Sequence, residues 1–238
     1  MEKSLKTAAV MTLFQRTPNF ARRFLPQVIW CFPARTNELF LTFDDGPDPE
    51  FTPALLSLLT KHEIRAAFFL IGKKARKHPQ LVREIVAAGH LVGNHTMHHP
   101  RLRWRRRLIV KEEIQSAQEV LEDCAGIPAR FFRPPYGALS PAILGTVREM
   151  NLRMIMWSLM PGDVWRVDNP SAIVSSIIKY VRGGDIILLH DGHRCGPATI
   201  SALRETIPVL REKGYRFSVL PDDFSSTRSL MSLPNEGS

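Results

Sequence analysis

The sequence predicts an α/β fold built on parallel strands, because short apolar segments of strand length alternate with segments of helical period along most of the chain. Two further observations narrow it. Strand candidates end in turns that carry ionisable residues, the placement expected where strand ends form a working face. No GxGxxG or P-loop sequence follows the first strand, which removes the main support for a nucleotide-binding sheet. The alternation by itself does not separate an open sheet from a closed barrel.

The elements follow in order. Residues 38–43 (ELFLTF) read as a strand stopped by Asp-Asp-Gly-Pro, and residues 52–62 as a helix with Pro53 in its first turn. Residues 66–71 (AAFFLI) form a buried strand, 79–88 a helix closed by Gly89, and 90–93 a short strand. Residues 111–124 carry Ile114, Ala117, Val120 and Leu121 at helical spacing. Residues 130–132 make a strand that runs into Arg-Pro-Pro-Tyr-Gly. A helix at 141–150, a strand at 152–157, a helix at 171–181 and a strand at 185–190 (DIILLH) continue the rhythm. A helix at 198–213, ended by Gly214, and a strand at 215–220 complete seven strand candidates.

The 238 residues, 44% hydrophobic, suffice for one sizeable core. The expected division is a basic extension at 1–36, a catalytic domain at 37–222 and a disordered tail at 223–238. The net charge of +9 favours anionic partners without choosing among them. Cys31, Cys124 and Cys195 are odd in number and widely spaced, so neither a disulfide framework nor a structural zinc site is indicated. No secretory signal or spanning helix is read, and the expected location is cytoplasmic or membrane-peripheral.

The strand-end residues could do chemistry together. Adjacent Asp44 and Asp45 point to different sides, so one can bind a metal while the other faces a substrate; alone, the pair reads as an ordinary Asp-Gly turn. The spacing of His95 and His99 puts two imidazoles on one face of a helical turn, with His98 as an alternative to His99. Two histidines and one carboxylate form an open, catalytic type of metal site. His190 ends an apolar strand and suits proton transfer near neutral pH, or is a hydrogen-bonded core histidine. Arg133, stiffened by two prolines, could pair with Asp44 or Asp163.

Together these segments resemble the polysaccharide deacetylase family, the NodB-homology group of carbohydrate esterase family 4. The matching pieces are Thr42–Pro47 (TFDDGP), His95–Pro100 (HTMHHP), Arg133–Gly137 (RPPYG), the stretch from Trp157 to Trp165, and Leu188-Leu189-His190. The resemblance implies a distorted (β/α) barrel with seven or eight parallel strands. It implies a divalent metal, zinc first, with cobalt, nickel or manganese as substitutes, on Asp45, His95 and His99. Asp44 would be the general base and His190 the general acid. Arg133 would orient Asp44, Asp163 would hold Arg133, and the Tyr136 N–H would hold the oxyanion. Leu188 and Trp165 would line the pocket for the acyl methyl. The implied activity is removal of N-acetyl groups from amino sugars of an acetylated glycan. The chain departs from the family at Met160, where an acidic residue is common, and by the extra Val164.

A deformylase or amidase acting on a lipid-linked or small-molecule amide is the second reading. A non-catalytic carbohydrate-binding barrel is the third, disfavoured because base, ligands and acid are all present. No nucleic-acid partner is expected, since neither basic stretch interleaves aromatics as a base-stacking platform would. Residues 101–111 (RLRWRRRLIVK) read as a solvated loop and helix start, or as a surface for a lipid-linked sugar or a membrane. Residues 12–25 read as chain packed across the closed end of a barrel, or as a basic amphipathic anchor.

Overall fold

The computed structural model describes residues 15–17, 24–34 and 36–221. The tail at 223–238 and most of the extension at 1–36 lie outside the described residues. The strands are β1 (Val28–Ile29), β2 (Glu38–Asp44), β3 (Ala67–Leu70), β4 (Leu91–Asn94), β5 (Phe131–Phe132), β6 (Arg153–Ile155), β7 (Ile186–His190) and β8 (Arg216–Phe217). The helices are α1 (Thr52–Lys61), α2 (Gly72–Lys77), α3 (Pro79–Ala87), α4 (Arg107–Ala125), α5 (Pro141–Glu149), α6 (Pro170–Tyr180) and α7 (Gly196–Glu212).

The strands form one sheet in the order β1-β6-β5-β4-β3-β2-β7, with β8 beside β2. All the pairings are parallel. The sheet curls until the chain after β6 meets β7. There Leu159 bridges Ile187, and the Ser158 N–H donates to the Ile186 carbonyl at 3.0 Å. Closure by isolated bridges rather than a full ladder makes this the distorted (β/α) barrel implied by the sequence. β1 lies within the stretch read as an extension, so the barrel reaches back past residue 37.

Alternation along β2 sets the two faces of the wall. Leu39, Leu41 and Phe43 join the core beneath the helices, whereas Phe40 belongs to a separate interior cluster. Ala67, Phe69, Phe131, Ile155 and Ile186 complete that interior from neighbouring strands. Each fully buried Leu or Phe contributes about 1.5–3 kcal/mol. Thr42 and Asp44 share the inward parity of Phe40, so the polar site grows directly from the top of the inner core.

The helices follow the expected patterns with two differences. α4 begins four residues earlier than the periodicity suggested, because Val110 stands one turn before Ile114 and extends its buried stripe. α2 was not expected. Its sequence GKKARK has no apolar period, and only Gly72 and Ala75 are buried. Side-chain caps start α5 at Ser140 and α6 at Asn169, which accept from the Ile143 and Ala172 N–H groups.

The described part of the N-terminal segment packs against the barrel. The Arg16 guanidinium makes paired 2.7 Å hydrogen bonds to the two carboxylate oxygens of Asp185, just before β7. The Met160 N–H donates to the Gln15 carbonyl at 2.9 Å. Met160, the family departure, is thus a buried side chain under this segment.

Candidate active site

Five strand ends meet on one face. β2 delivers Asp44 and Asp45, β4 delivers His95 and His99, and β5 delivers Arg133 and Tyr136. The chain after β6 delivers Asp163 and Trp165, and β7 delivers His190. Asp44 and His190 are direct neighbours across the β2–β7 ladder.

Asp45, His95 and His99 each offer one ligand atom, all within 4.8 Å of one another. Asp45 Oδ1 lies 3.1 Å from His99 Nε2 and 3.5 Å from His95 Nε2. This oxygen is buried and makes no aligned hydrogen bond. Convergence of two ring nitrogens on an unsatisfied carboxylate oxygen fits a divalent cation, which would take up all three lone pairs. His95 Nδ1 sits 2.7 Å from the Arg133 carbonyl, which favours a proton on Nδ1 and leaves Nε2 free to ligate. Burial acts to raise the Asp45 carboxyl, but the imidazoles of His95 and His99 beside it outweigh that and hold it below the usual range.

The two histidines do not share a helical turn. Thr96 and His99 have φ of 67° and 57°, in the left-handed region, and the segment is a loop. The Asn94 side chain accepts from the Thr96 N–H at 2.9 Å, and the Thr96 hydroxyl accepts from the His99 N–H at 3.0 Å. Those local bonds bring His99 back over His95, with ring centroids 4.9 Å apart. His98 turns away to pair with Glu113 at 2.9 Å, so the alternative ligand is removed.

Asp44 is buried, and its Oδ1 accepts from Arg133 Nη1 at 2.7 Å, which leaves Oδ2 on the His95 side at 3.7 Å from Nε2. Arg133 is fully buried. It donates also to the Thr42 hydroxyl and to the Ile155 and Met156 carbonyls, while its plane covers the Phe69 ring at 4.2 Å. Burial lowers its pKa, opposed by the Asp44 carboxylate beside it.

Asp163 is not against Arg133, as the family resemblance had implied. Its carboxylate instead accepts from the His190 backbone N–H at 2.7 Å and the Thr199 hydroxyl at 2.9 Å, and meets His190 Nδ1 at 3.1 Å. All of the side-chain bonds seen for Arg133 go to β2 and to backbone carbonyls of the β6 region, which leaves Asp163 to His190. Burial works to lower the His190 pKa, but Asp163 dominates and the imidazole is pushed up to about 9.

Tyr136 lies at φ 58°, its ring half-open to solvent and edge-on to His99 at 4.7 Å. Trp165 is 41% exposed at the rim. Leu188 is buried and has the same parity as His190, which aims it inward beneath that imidazole.

Sequence reasoning missed the supports. Thr42 could have been found from its shared parity with Asp44. Asp191 stands at a strand end beside His190, but its supporting role had no local signal: it is buried under Gly46, where an added Cβ would fall 2.5 Å from its carboxylate. Thr52 donates to it at 2.7 Å, and burial pushes its carboxyl up to about 7. Lys74, on α2, donates to the Asp45 carbonyl at 2.7 Å. Gly46 and Lys74 thus fix the turn that presents both acids.

A family model described as polysaccharide deacetylase matches residues 33–155. A chitooligosaccharide deacetylase of Azorhizobium caulinodans is 39% identical over 78% of this chain and 93% of its own. A peptidoglycan-N-acetylglucosamine deacetylase of Bacillus cereus is 37% identical over 82% of this chain and 71% of its own. A solved peptidoglycan N-acetylglucosamine deacetylase superposes with a TM-score of 0.80 at 35% identity, covering 86% of this chain and 95% of the other. A pseudoenzyme of carbohydrate esterase family 4 from Bacillus anthracis also matches, at 25% identity and a TM-score of 0.75, over 81% of this chain and 66% of that one. Since the same fold carries an inactive relative, activity has to be argued from individual residues.

Proposed function

The chain belongs to the polysaccharide deacetylase family, and from that premise we infer that it is a metal-dependent hydrolase removing N-acetyl groups from amino sugars of a poly- or oligosaccharide. The carrying observation is the division of labour among three carboxylates. Asp44 is held by Arg133, Asp45 faces two imidazoles, and Asp163 is committed to His190. A binding module has no need of three acids around one cleft, each committed to a different partner.

Asp45, His95 and His99 would hold the metal. Two imidazole nitrogens and one carboxylate oxygen suit zinc, and admit cobalt, nickel or manganese. When bound, the metal supplies Lewis-acid polarisation of the amide carbonyl and acidifies water toward a pKa of about 7. Asp44 Oδ2, the oxygen not taken by Arg133, accepts the proton of the attacking water. The Tyr136 N–H donates to the oxygen that gains negative charge. His190, kept protonated by Asp163, gives its proton to the departing amine. Asp163 therefore serves as a positioning residue for the acid rather than for Arg133. Leu188 and Trp165 would form the wall for the acyl methyl.

The relatives' names support an N-acetylglucosamine oligomer as substrate. The Asp44→Asn variant should lose about 10²–10⁴ of the rate of acetate release from such oligomers. Its metal content by elemental analysis should stay that of the wild type. Undiminished release by the variant overturns the assignment of the base. Release of formate from an N-formylated sugar, with no release of acetate from its N-acetylated counterpart, would overturn the acetyl specificity.

A further inference from the structure

We propose that residues 101–109 are a docking surface for an anionic phospholipid bilayer, set beside the mouth of the active site. The segment is staked down at both ends and bare between. Leu102 and Val110 are fully buried in one apolar cluster with Ile114. All seven residues from 103 to 109 are exposed. They include Trp104 at 88%, Leu108 at 71% and Ile109 at 39% exposure. Large apolar side chains this open, in a held segment, have no role in the barrel's own packing.

Charge identifies the occupant. Residues 101–111 hold five arginines and one lysine and no acidic residue. Glu149 pairs with Arg107 and Lys111. Arg101, Arg103, Arg105 and Arg106 remain outside those pairs, and the Arg103 guanidinium stands 5.1 Å over the Trp104 ring. Tryptophan and aliphatic side chains among arginines match a bilayer interface, where the rings and chains enter the headgroup region and the cations meet lipid phosphate. A soluble polyanion would use the arginines and leave Leu108 and Ile109 wet. A nucleic acid would want a series of flat rings, and here there is one.

The patch adjoins the catalytic face. The Arg101 guanidinium covers the Tyr136 ring at 5.2 Å, and that ring meets His99 edge-on. Docking there would put the cleft at the headgroup layer, within reach of saccharide held at the membrane. The inference goes beyond the deacetylase reading, and binding is measurable without turnover.

The full chain is sedimented with vesicles of phosphatidylcholine mixed with phosphatidylglycerol, and with phosphatidylcholine alone. Binding to the mixed vesicles is expected to exceed binding to the neutral ones by about tenfold or more. The doubles Trp104→Ser/Leu108→Ser and Arg103→Glu/Arg105→Glu should each lose about tenfold of it, while keeping wild-type melting temperature and acetate release from soluble oligomers. Failure of the wild type to bind mixed vesicles overturns the proposal. So does an apolar double that binds like the wild type, since the surface is then a general polyanion site; equal competition by dextran sulfate would identify it as such.

Discussion

Arg133 brings a full charge into the barrel, and its worth lies in what it holds. Four hydrogen bonds fix the guanidinium, and only one of them goes to an acid. Substituting Arg133→Met leaves buried Asp44 without its cation, which should cost about 3–5 kcal/mol in urea unfolding and also suppress acetate release. Asp163→Asn tests the proposed acid, His190. A raised His190 pKa keeps the imidazole protonated below that value and loses the proton as pH rises through it. Removing the carboxylate that raises it should move the alkaline limb of the pH–rate profile to lower pH, with little change on the acid side. An unmoved limb would separate Asp163 from proton transfer. Asp44, Asp45, His95, His99 and His190 were legible because each follows a strand. The partner of Asp163 was not: pairing of Asp163 with His190 or Arg133 depends on how the chain after β6 turns, and no local pattern records that.

At the scale of elements, the long strands β2 and β7 and the long helices, apart from the start of α4, were read within a residue or two. β1, with two residues, and α2, with a polar sequence, carry too little apolar pattern to register. The residues between α3 and β4 give a further test. His90 is buried there, its Nδ1 accepting from the Ala66 N–H at 3.1 Å and its Nε2 without a partner. Burial, aided by the Arg65 charge, lowers its pKa from 6.5 to about 4. The unfolded chain therefore binds the extra proton between those two values. The contribution of neutral His90 is full above 6.5 and is lost as pH falls toward 4. His90→Gln keeps an acceptor but cannot titrate, so its stability should fall less than the wild type's between about pH 7 and pH 5, by about 1–2 kcal/mol. Parallel curves for the two proteins would exclude His90 as the titrating group.

Over the whole molecule, the barrel is sealed by few bonds between the β6 and β7 sides, and the described N-terminal segment reinforces that seam. Arg16 reaches Asp185, whose oxygens also accept from Ser158 and from the Arg182 N–H. Arg16→Ala should lower stability by about 3 kcal/mol, because a nearly buried carboxylate loses its cation; a thermal melt unchanged from wild type would show that the seam holds without it. Among the described residues, no helix is long and apolar enough to cross a membrane. Fold class and the order of the site's parts could be read from the chain because both follow from strand ends in a parallel sheet. Closure could not, since it rests on isolated bridges. The alternation of β2 also dictates which kinds of genetic change the protein can absorb. Substitutions on its outer face disturb packing alone. A single-codon insertion or deletion within Glu38–Asp44 exchanges the two faces, sending the Asp44 carboxylate toward the helices and a phenylalanine into the cleft. Among natural variants, length should therefore be far better kept in this strand than identity.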